Sequence, residues 1–399
     1  MNVTCVHHTI GGRGHRLALA LAGAGHRVRI LYRLPWDDMP ALLPSLDAPP
    51  VQWVDDGDLL AYVRRDTWTD VWHVSQNPRD ETMAWAVMMG RQNPDARVVW
   101  DVRDLGSMAA RCIYDGPERP TSPSMNVSLI WEDLTIRQVD GILHVSPDCQ
   151  RWAEWLHPES AEAPSCVLWS AVSEADLPPL DGPRAGLVYC GGLGMPAKAG
   201  NGTVRDTRDY SIYLEAIREA RPWGAEPIVV QSDHPTVALP CQELRRRGFE
   251  TRSRVPQDRL LHALAEFRWG LWGNPVMFQP LLRAALPNKL FEYLGAGVVP
   301  VVINCPASAD LVEGYGVGLG GERWGDVRER MTEEHWQRCF DNLGAVRHTF
   351  TMEAQVGAVV EVYEEALRRP ARWVGMPEWV GMLKPWDPGA REAEEVLLG

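Results

Sequence analysis

Apolar stretches alternate with glycine-bearing polar turns from the first residues onward. Residues 3–6 are a short apolar run that predicts a strand, and 7–14 (His-His-Thr-Ile-Gly-Gly-Arg-Gly) predict a turn. Leu17, Ala18, Leu21 and Ala22 then recur at the spacing of one helical face, and Gly23 and Gly25 close that helix before a second strand at 28–32. This is a βαβ unit with its glycines in the first turn. Further strands are predicted at 70–74, 97–101 and 141–145, separated by helical stretches near 80–90 and 128–138. Strands that alternate with helices form a parallel sheet covered on both faces.

After Trp155 the pattern loosens into Pro158, Pro164, Pro178, Pro179 and Pro183, around one short apolar segment at 166–169. The theme then restarts with a strand at 186–190, a glycine turn at 191–194, a helix at 211–220, and strands at 227–231, 269–272 and 298–303. The predicted fold class is α/β, with two doubly wound Rossmann-like domains facing a cleft. The expected boundaries are 1–172 for the first domain, 173–185 for a linker and 186–350 for the second. Residues 351–399 should return as a helix (352–368) and a tail, and Trp373, Trp379 and Trp386 suggest that the tail docks on a domain surface.

Composition narrows the function classes. A chain of 399 residues that is 45% hydrophobic and 23% charged can bury large cores. Its formal charge of −13, from 53 acidic and 40 basic side chains, repels phosphate backbones and argues against indiscriminate binding to nucleic acid or anionic membranes. The eight cysteines form no C-x-x-C pair and read as reduced, mostly buried thiols. Residues 1–6 lack a leader pattern, and no apolar run approaches the ~20 residues of a membrane span. The expectation is a cytoplasmic, soluble protein.

The most informative stretch is 286–302, Leu-Pro-Asn-Lys-Leu-Phe-Glu-Tyr-Leu-Gly-Ala-Gly-Val-Val-Pro-Val-Val. A helix should open near Pro287 and stop at Gly295 or Gly297, before a buried strand. Asn288 and Lys289 then lie in its first turn, with Glu292 one turn on. A helix N-terminus beside a lysine suits a phosphate, and the carboxylate can accept hydrogen bonds from ribose hydroxyls. Spacing alone equally fits an ordinary surface helix carrying a Lys–Glu pair.

The run Pro-Asn-Lys-Leu-Phe-Glu-Tyr-Leu-x-Ala-Gly-x-x-Pro-Val-Val resembles the donor-binding segment of the large family-4-like group of retaining GT-B glycosyltransferases. Weaker similarities follow in order: Gly11-Gly12, Gly25 to Val28, Asp70 to His73, Asp140 to Ser146 and Tyr189 to Gly194. The resemblance implies a transferase that moves a sugar from a nucleotide diphosphate sugar to an acceptor hydroxyl with retention of configuration. It implies that Glu292 holds the donor ribose and that Asn288, Lys289 and Leu290 face the nucleotide. It further implies that Lys198 neutralises the departing diphosphate, that the turn at Gly11 and Gly12 lets backbone approach donor and acceptor, that Gly192 belongs to the nucleotide-sugar site, and that His73, following its strand, meets the transferred sugar with its side chain or backbone. The expected catalytic set is His73, Lys198 and Glu292.

Three departures stand out. Ala284 occupies the place of the family's first acid, Gly192 that of an arginine for which Arg205, Arg208 or Arg283 could substitute, and Trp169-Ser-Ala-Val172 that of an Asn-Gly pair. Asp56-Gly-Asp58 has a metal-binding form, but its acidic run before a helix reads better as a loop or cap, so no obligatory metal and no cofactor are expected. Arg245 to Arg247, with Arg252 and Arg254, reads as a solvated helix end. The default acceptor is a glycan or small metabolite. Alternatives are a hydroxymethylpyrimidine base in DNA, a sugar-nucleotide 2-epimerase, or a nucleotide-sugar-binding protein without catalysis.

Overall fold

The computed structural model describes residues 1–9, 12–34, 50–53, 56–76, 82–103, 105–107, 123–191, 228–230, 235–246, 248, 250–252, 255–273 and 284–372. The first sheet contains β1 (Asn2–Thr9), β2 (Arg27–Leu34), β3 (Val51–Gln52), β4 (Val71–Ser75), β5 (Arg97–Val102), β6 (Gly141–His144) and β7 (Ser165–Val167). The second contains β8 (Ala185–Cys190), β9 (Ile228–Val230), β10 (Thr251–Arg252), β11 (Phe267–Gly273), β12 (Val299–Ile303) and β13 (Leu319–Gly321). Every pairing in both sheets is parallel.

The strand orders are β3-β2-β1-β4-β5-β6-β7 and β10-β9-β8-β11-β12-β13. In each sheet the chain runs outward from its first strand, then returns to that strand's other side. The fork lies between β1 and β4 in the first sheet and between β8 and β11 in the second. Crevices at the carboxyl ends of such forks are where open α/β sheets bind ligands.

Both faces of the first sheet are apolar. Residues of β4 and β5 are buried throughout, as expected of strands covered on two sides. One face packs Val3, Cys5, Val28 and Ile30 against Leu17 and Leu21 of the Gly12–Gly23 helix and against Val356, Val359 and Tyr363 of the Met352–Arg368 helix. The last described helix thus returns to the first sheet. Its C-terminal end is pinned by buried Arg97, whose guanidinium donates to Ala366 O at 3.1 Å and Arg369 O at 2.8 Å. The Trp-bearing tail expected to dock (373–399), the 211–220 helix, Arg205, Arg208, Arg247, Arg254 and Arg283 lie outside the described residues. Of the eight cysteines, seven are described and free, six of them buried. Among the described residues no helix is long and apolar enough to cross a membrane.

His157, after the Pro147–Leu156 helix, sets a pH dependence. Its Nδ1 lies 2.8 Å from Asp133 Oδ1 and its Nε2 3.3 Å from Glu132 Oε1, a pairing that uses both ring nitrogens as donors in the imidazolium form. Burial opposes the charge, but the two carboxylates outweigh it and raise the pKa to about 9. Because the folded value exceeds the unfolded one, the stabilisation is complete below about pH 6.5 and disappears as pH rises through about 9. The melting-temperature gap between wild type and His157→Gln should therefore shrink from pH 6 to pH 9.5. A constant gap would show that His157 is not held as a cation.

Candidate functional site

The Asn288–Ala296 helix is seated on the second fork by Tyr293. The phenol oxygen accepts from Cys190 N at 2.7 Å and lies 3.1 Å from Leu271 O, joining β8 to β11. Its ring fits because Gly270 has no side chain; a Cβ there would fall 2.6 Å from the ring. The helix ends at Gly297, whose φ of 74° is the left-handed cap that glycine favours. At the other end Pro287 is the N-cap, with no side-chain cap and no acid in the first turn. The N–H groups of Asn288 and Lys289, at the first two helical positions, therefore have no intrahelical acceptor, and the positive dipole end is not neutralised by an acid in the first turn.

Lys289 leans over the same fork. Its Nζ donates to Tyr189 Oη at 3.0 Å and lies 4.3 Å from the Tyr189 ring centroid and 4.9 Å from that of Trp272. A Cβ on Gly191 would fall 2.7 Å from that nitrogen, so glycine there leaves the amine its place. The partners of Lys289 among the described residues are aromatic rather than acidic. Cation–π contacts hold an ammonium without cancelling its charge, which leaves that charge available to an anion.

The Gly12–Gly23 helix opens beside this one. Gly12 has φ 58°, and a Cβ on it would sit 3.7 Å from Asn288 Nδ2. One turn on, Arg16 Nη2 lies 3.8 Å from Glu292 Oε1, with side-chain exposures of 6% and 10%. The two helices thus start side by side, with Gly12 of one against Asn288 of the other, next in sequence to Lys289.

Beneath the Gly12 helix, at the first fork, lies a buried polar cluster. Arg13 is ion-paired with Asp101 and donates to Leu168 O at 2.8 Å and Val102 O at 3.3 Å. The hydroxyl of Ser75 lies 2.8 Å from His7 Nδ1 and donates toward Asp101 Oδ2 at 3.5 Å. Gly14 permits this packing, because a Cβ on it would come within 2.3 Å of the His7 ring. The imidazoles here stay neutral. Burial, then Arg13 and Arg103, lower the His73 pKa to about 3; burial and Arg13 lower that of His144 to about 4. His73 Nε2 is 3.5 Å from Asp101, which by itself would favour the imidazolium, but Arg13 already compensates that carboxylate.

Trp169 to Val172 ties these parts together. Leu168 O and Ala171 O accept from Arg13 and Arg16, Trp169 stacks on Phe291 at 5.8 Å, and Val172 O accepts from Met352 N at 2.8 Å. The segment that replaces the expected Asn-Gly pair is the crossing to which both helices and the returning chain are fastened.

No protein-family model matches this chain, and no curated protein matches it. Solved structures do. A glycosyltransferase from Rickettsia africae is similar over 92% of this chain and 99% of its own, with a TM-score of 0.62 at 11% identity. HepE of Anabaena, solved in complex with UDP-glucose, matches over 90% of this chain and 99% of its own, with a TM-score of 0.61 at 12% identity. An α-glucosyltransferase solved with UDP and a 13-mer DNA containing an HMU base matches over 91% and 99%, with a TM-score of 0.54 at 11% identity.

The fold is GT-B.

In this GT-B chain the expected site residues separate into three groups. Gly12, Asn288, Lys289 and Glu292 come together at the seam between the sheets. Lys198 and Gly192 lie outside the described residues. Two expected residues have enclosed side chains. His73 does not follow its strand but sits inside β4 with no exposed surface, its Nδ1 2.8 Å from Tyr363 Oη. The side chain of Leu290 is buried in the core of the second half, and its N–H is bonded to Pro287 O at 3.0 Å. Ala284 is 4% exposed and packs in the apolar cluster of the first half, surroundings in which an unpaired acid would be costly. Arg13, Arg16 and Tyr293 were not singled out from the sequence; Arg13 meets Asp101 88 positions away, Arg16 meets Glu292 in the other half of the chain and Tyr293 meets Cys190 103 positions away, and only the signal of Arg13 within Gly-Gly-Arg-Gly was there to be read.

Asp56 and Asp58 stand in the first turn of the Asp56–Val63 helix. Among the described residues no group of three or more His, Cys, Asp or Glu side chains could hold a metal ion. A separate cavity of about 640 Å³ lies against the outer edge of the first sheet, lined by Arg29, Trp53, Tyr62 and Arg65 among others, away from the seam.

Proposed function

We propose that this chain transfers a sugar from a nucleotide diphosphate sugar to an acceptor hydroxyl with retention at the anomeric carbon. The observation that carries this reading is Lys289, an amine held by aromatic rings with no acid partner among the described residues, in the first turn of an uncapped helix whose Asn288 meets Gly12 of the first half. Such a place suits a diphosphate. Glu292, one turn along, takes the ribose hydroxyls, and Lys198 adds positive charge to the leaving group. Uridine nucleotides in the similar HepE and α-glucosyltransferase structures support the donor class.

The reaction needs no carboxylate nucleophile. The bond from the anomeric carbon to the phosphate oxygen breaks, the acceptor oxygen bonds that carbon on the same face, and the departing phosphate oxygen takes the acceptor's proton. Lys289, Lys198 and the helix ends stabilise the charge that develops on that oxygen. Protein groups do this work, with no obligatory metal in the proposed step. The side chain of His73, being enclosed, supports the floor of the first fork through Tyr363 and Asp101 rather than touching the sugar.

For the acceptor we favour a glycan or small metabolite in a cytoplasmic setting over DNA. The chain carries −13 net charge, and in the basic cluster Arg252 is already paired with Glu250 and Glu266. A thermal-shift panel of nucleotide sugars, each against its bare nucleotide, should reveal one donor that raises the melting temperature with concentration. That donor, incubated with mixed glycans and metabolites, should release its nucleoside diphosphate only in their presence. A new sugar formed from the donor alone would indicate an epimerase, transfer only to hydroxymethylated DNA would indicate the DNA acceptor, and binding without turnover would indicate a binding protein.

A further inference from the structure

We propose that Arg16 is a positioning residue for the ribose-binding carboxylate, so that the donor site on the second half is completed by the first. The inference rests on the reading of Glu292 as the ribose acid. Gly12 and Arg16 are four apart on one helix, and Asn288 and Glu292 are four apart on the other, so each pair shares a helical face. Those faces meet in register: Gly12 lies against Asn288, and Arg16 against Glu292. Nothing in the sequence around Arg16 announces this, because its partner lies in the other half of the chain.

The geometry gives Arg16 a specific task. One arm of its guanidinium is fixed, Nη1 donating to Ala171 O at 3.1 Å in the crossing segment. The other arm, Nη2, faces Glu292 Oε1 at 3.8 Å, close enough to attract the carboxylate and too far to form a hydrogen bond. Glu292 is thereby drawn toward the Gly12 helix while its lone pairs stay free for two adjacent hydroxyls. The fork matters as much as the charge, because a lysine has one nitrogen and could serve only one of the two partners. Arg16 also fastens the ribose acid to the crossing between halves, so that ribose recognition depends on the halves being together.

The test is ribose discrimination. Calorimetric titrations of the full chain would compare UDP with 2′-deoxy-UDP, GDP with 2′-deoxy-GDP and ADP with 2′-deoxy-ADP. The proteins would be wild type, Arg16→Gln, Arg16→Lys and Glu292→Ala. Wild type should bind the ribo form of one nucleotide at least about tenfold more tightly than its deoxy form, the scale of a hydrogen bond to a charged group. Both Arg16→Gln and Glu292→Ala should bring that ratio to about two or less, with affinity for the deoxy form nearly unchanged, and Arg16→Lys should keep an intermediate ratio. A purely structural role for Arg16 would weaken both forms together, as would direct contact with the phosphates, and either result overturns the proposal. If Glu292→Ala kept the full ratio, the ribose assignment would fall first; if no nucleotide bound wild type, the functional reading would fall. Should Arg16→Gln not fold by circular dichroism, Arg16→Lys carries the same comparison, and an unreduced ratio there is the contrary result.

Discussion

Lys289→Ala lowers kcat/KM for sugar transfer by about 10²–10³-fold, the usual cost of removing one preorganised group from a developing charge. The effect is this large because the amine is already in place. It sits over the fork between β8 and β11, between the rings of Tyr189 and Trp272 and beneath Gly191, and it needs no reorganisation when the diphosphate departs. Stability should change little, because the side chain is partly exposed and closes no core. Lys289→Arg keeps the charge but cannot fit the same gap beside Gly191, so it should recover only part of the rate. Initial rates with the donor selected by thermal shift, set beside melting temperatures, check this. A loss of less than about fivefold would remove Lys289 from the reacting centre.

Arg13→Ala should cost about 3–5 kcal/mol of folding stability, the scale for stripping one member from a buried ion pair. The side chains of Arg13 and Asp101 are 1% and 0% exposed. The same guanidinium also serves Leu168 O and Val102 O, so its loss leaves a carboxylate and two carbonyls without their donor. Asp101→Asn should cost less, since the amide can still accept from Arg13. The double variant Arg13→Met/Asp101→Leu should recover much of the single-variant loss, because no uncompensated charge stays behind. Urea denaturation followed by circular dichroism measures all three against wild type. A single-variant loss below about 1 kcal/mol would mean that water or another group replaces the arginine.

Where the sequence carried a local rule, the structure follows it. Residues 286–302 were legible because helix opening, helix stop and buried strand are written within seventeen consecutive positions: Pro287 caps, Gly297 takes the left-handed turn, and 299–303 form β12. The first βαβ unit was legible for the same reason. Long-range pairing was not. Arg13, in the glycine-rich turn, and Arg16, just after it, carry no local signal of a partner, yet one neutralises Asp101 and the other faces Glu292. His73 and Leu290 misled because their motifs give position along the chain but not the side on which a residue emerges. Period-two alternation cannot be read in β4, where every residue is buried. Trp169 to Val172 had no local meaning, because its role is to receive hydrogen bonds and packing from three separate parts of the fold.

In the proposed reaction a sugar nucleotide is held where Gly12 of one helix meets Asn288 of the other. A crystal structure of the protein soaked with the donor chosen by thermal shift tests it most directly. Diphosphate oxygens should lie about 3 Å from Lys289 Nζ, with the ribose hydroxyls on Glu292 at hydrogen-bond distance. A nucleotide lodged in the cavity beside Arg29 and Trp53, or a seam left without ligand at saturating donor, would contradict it.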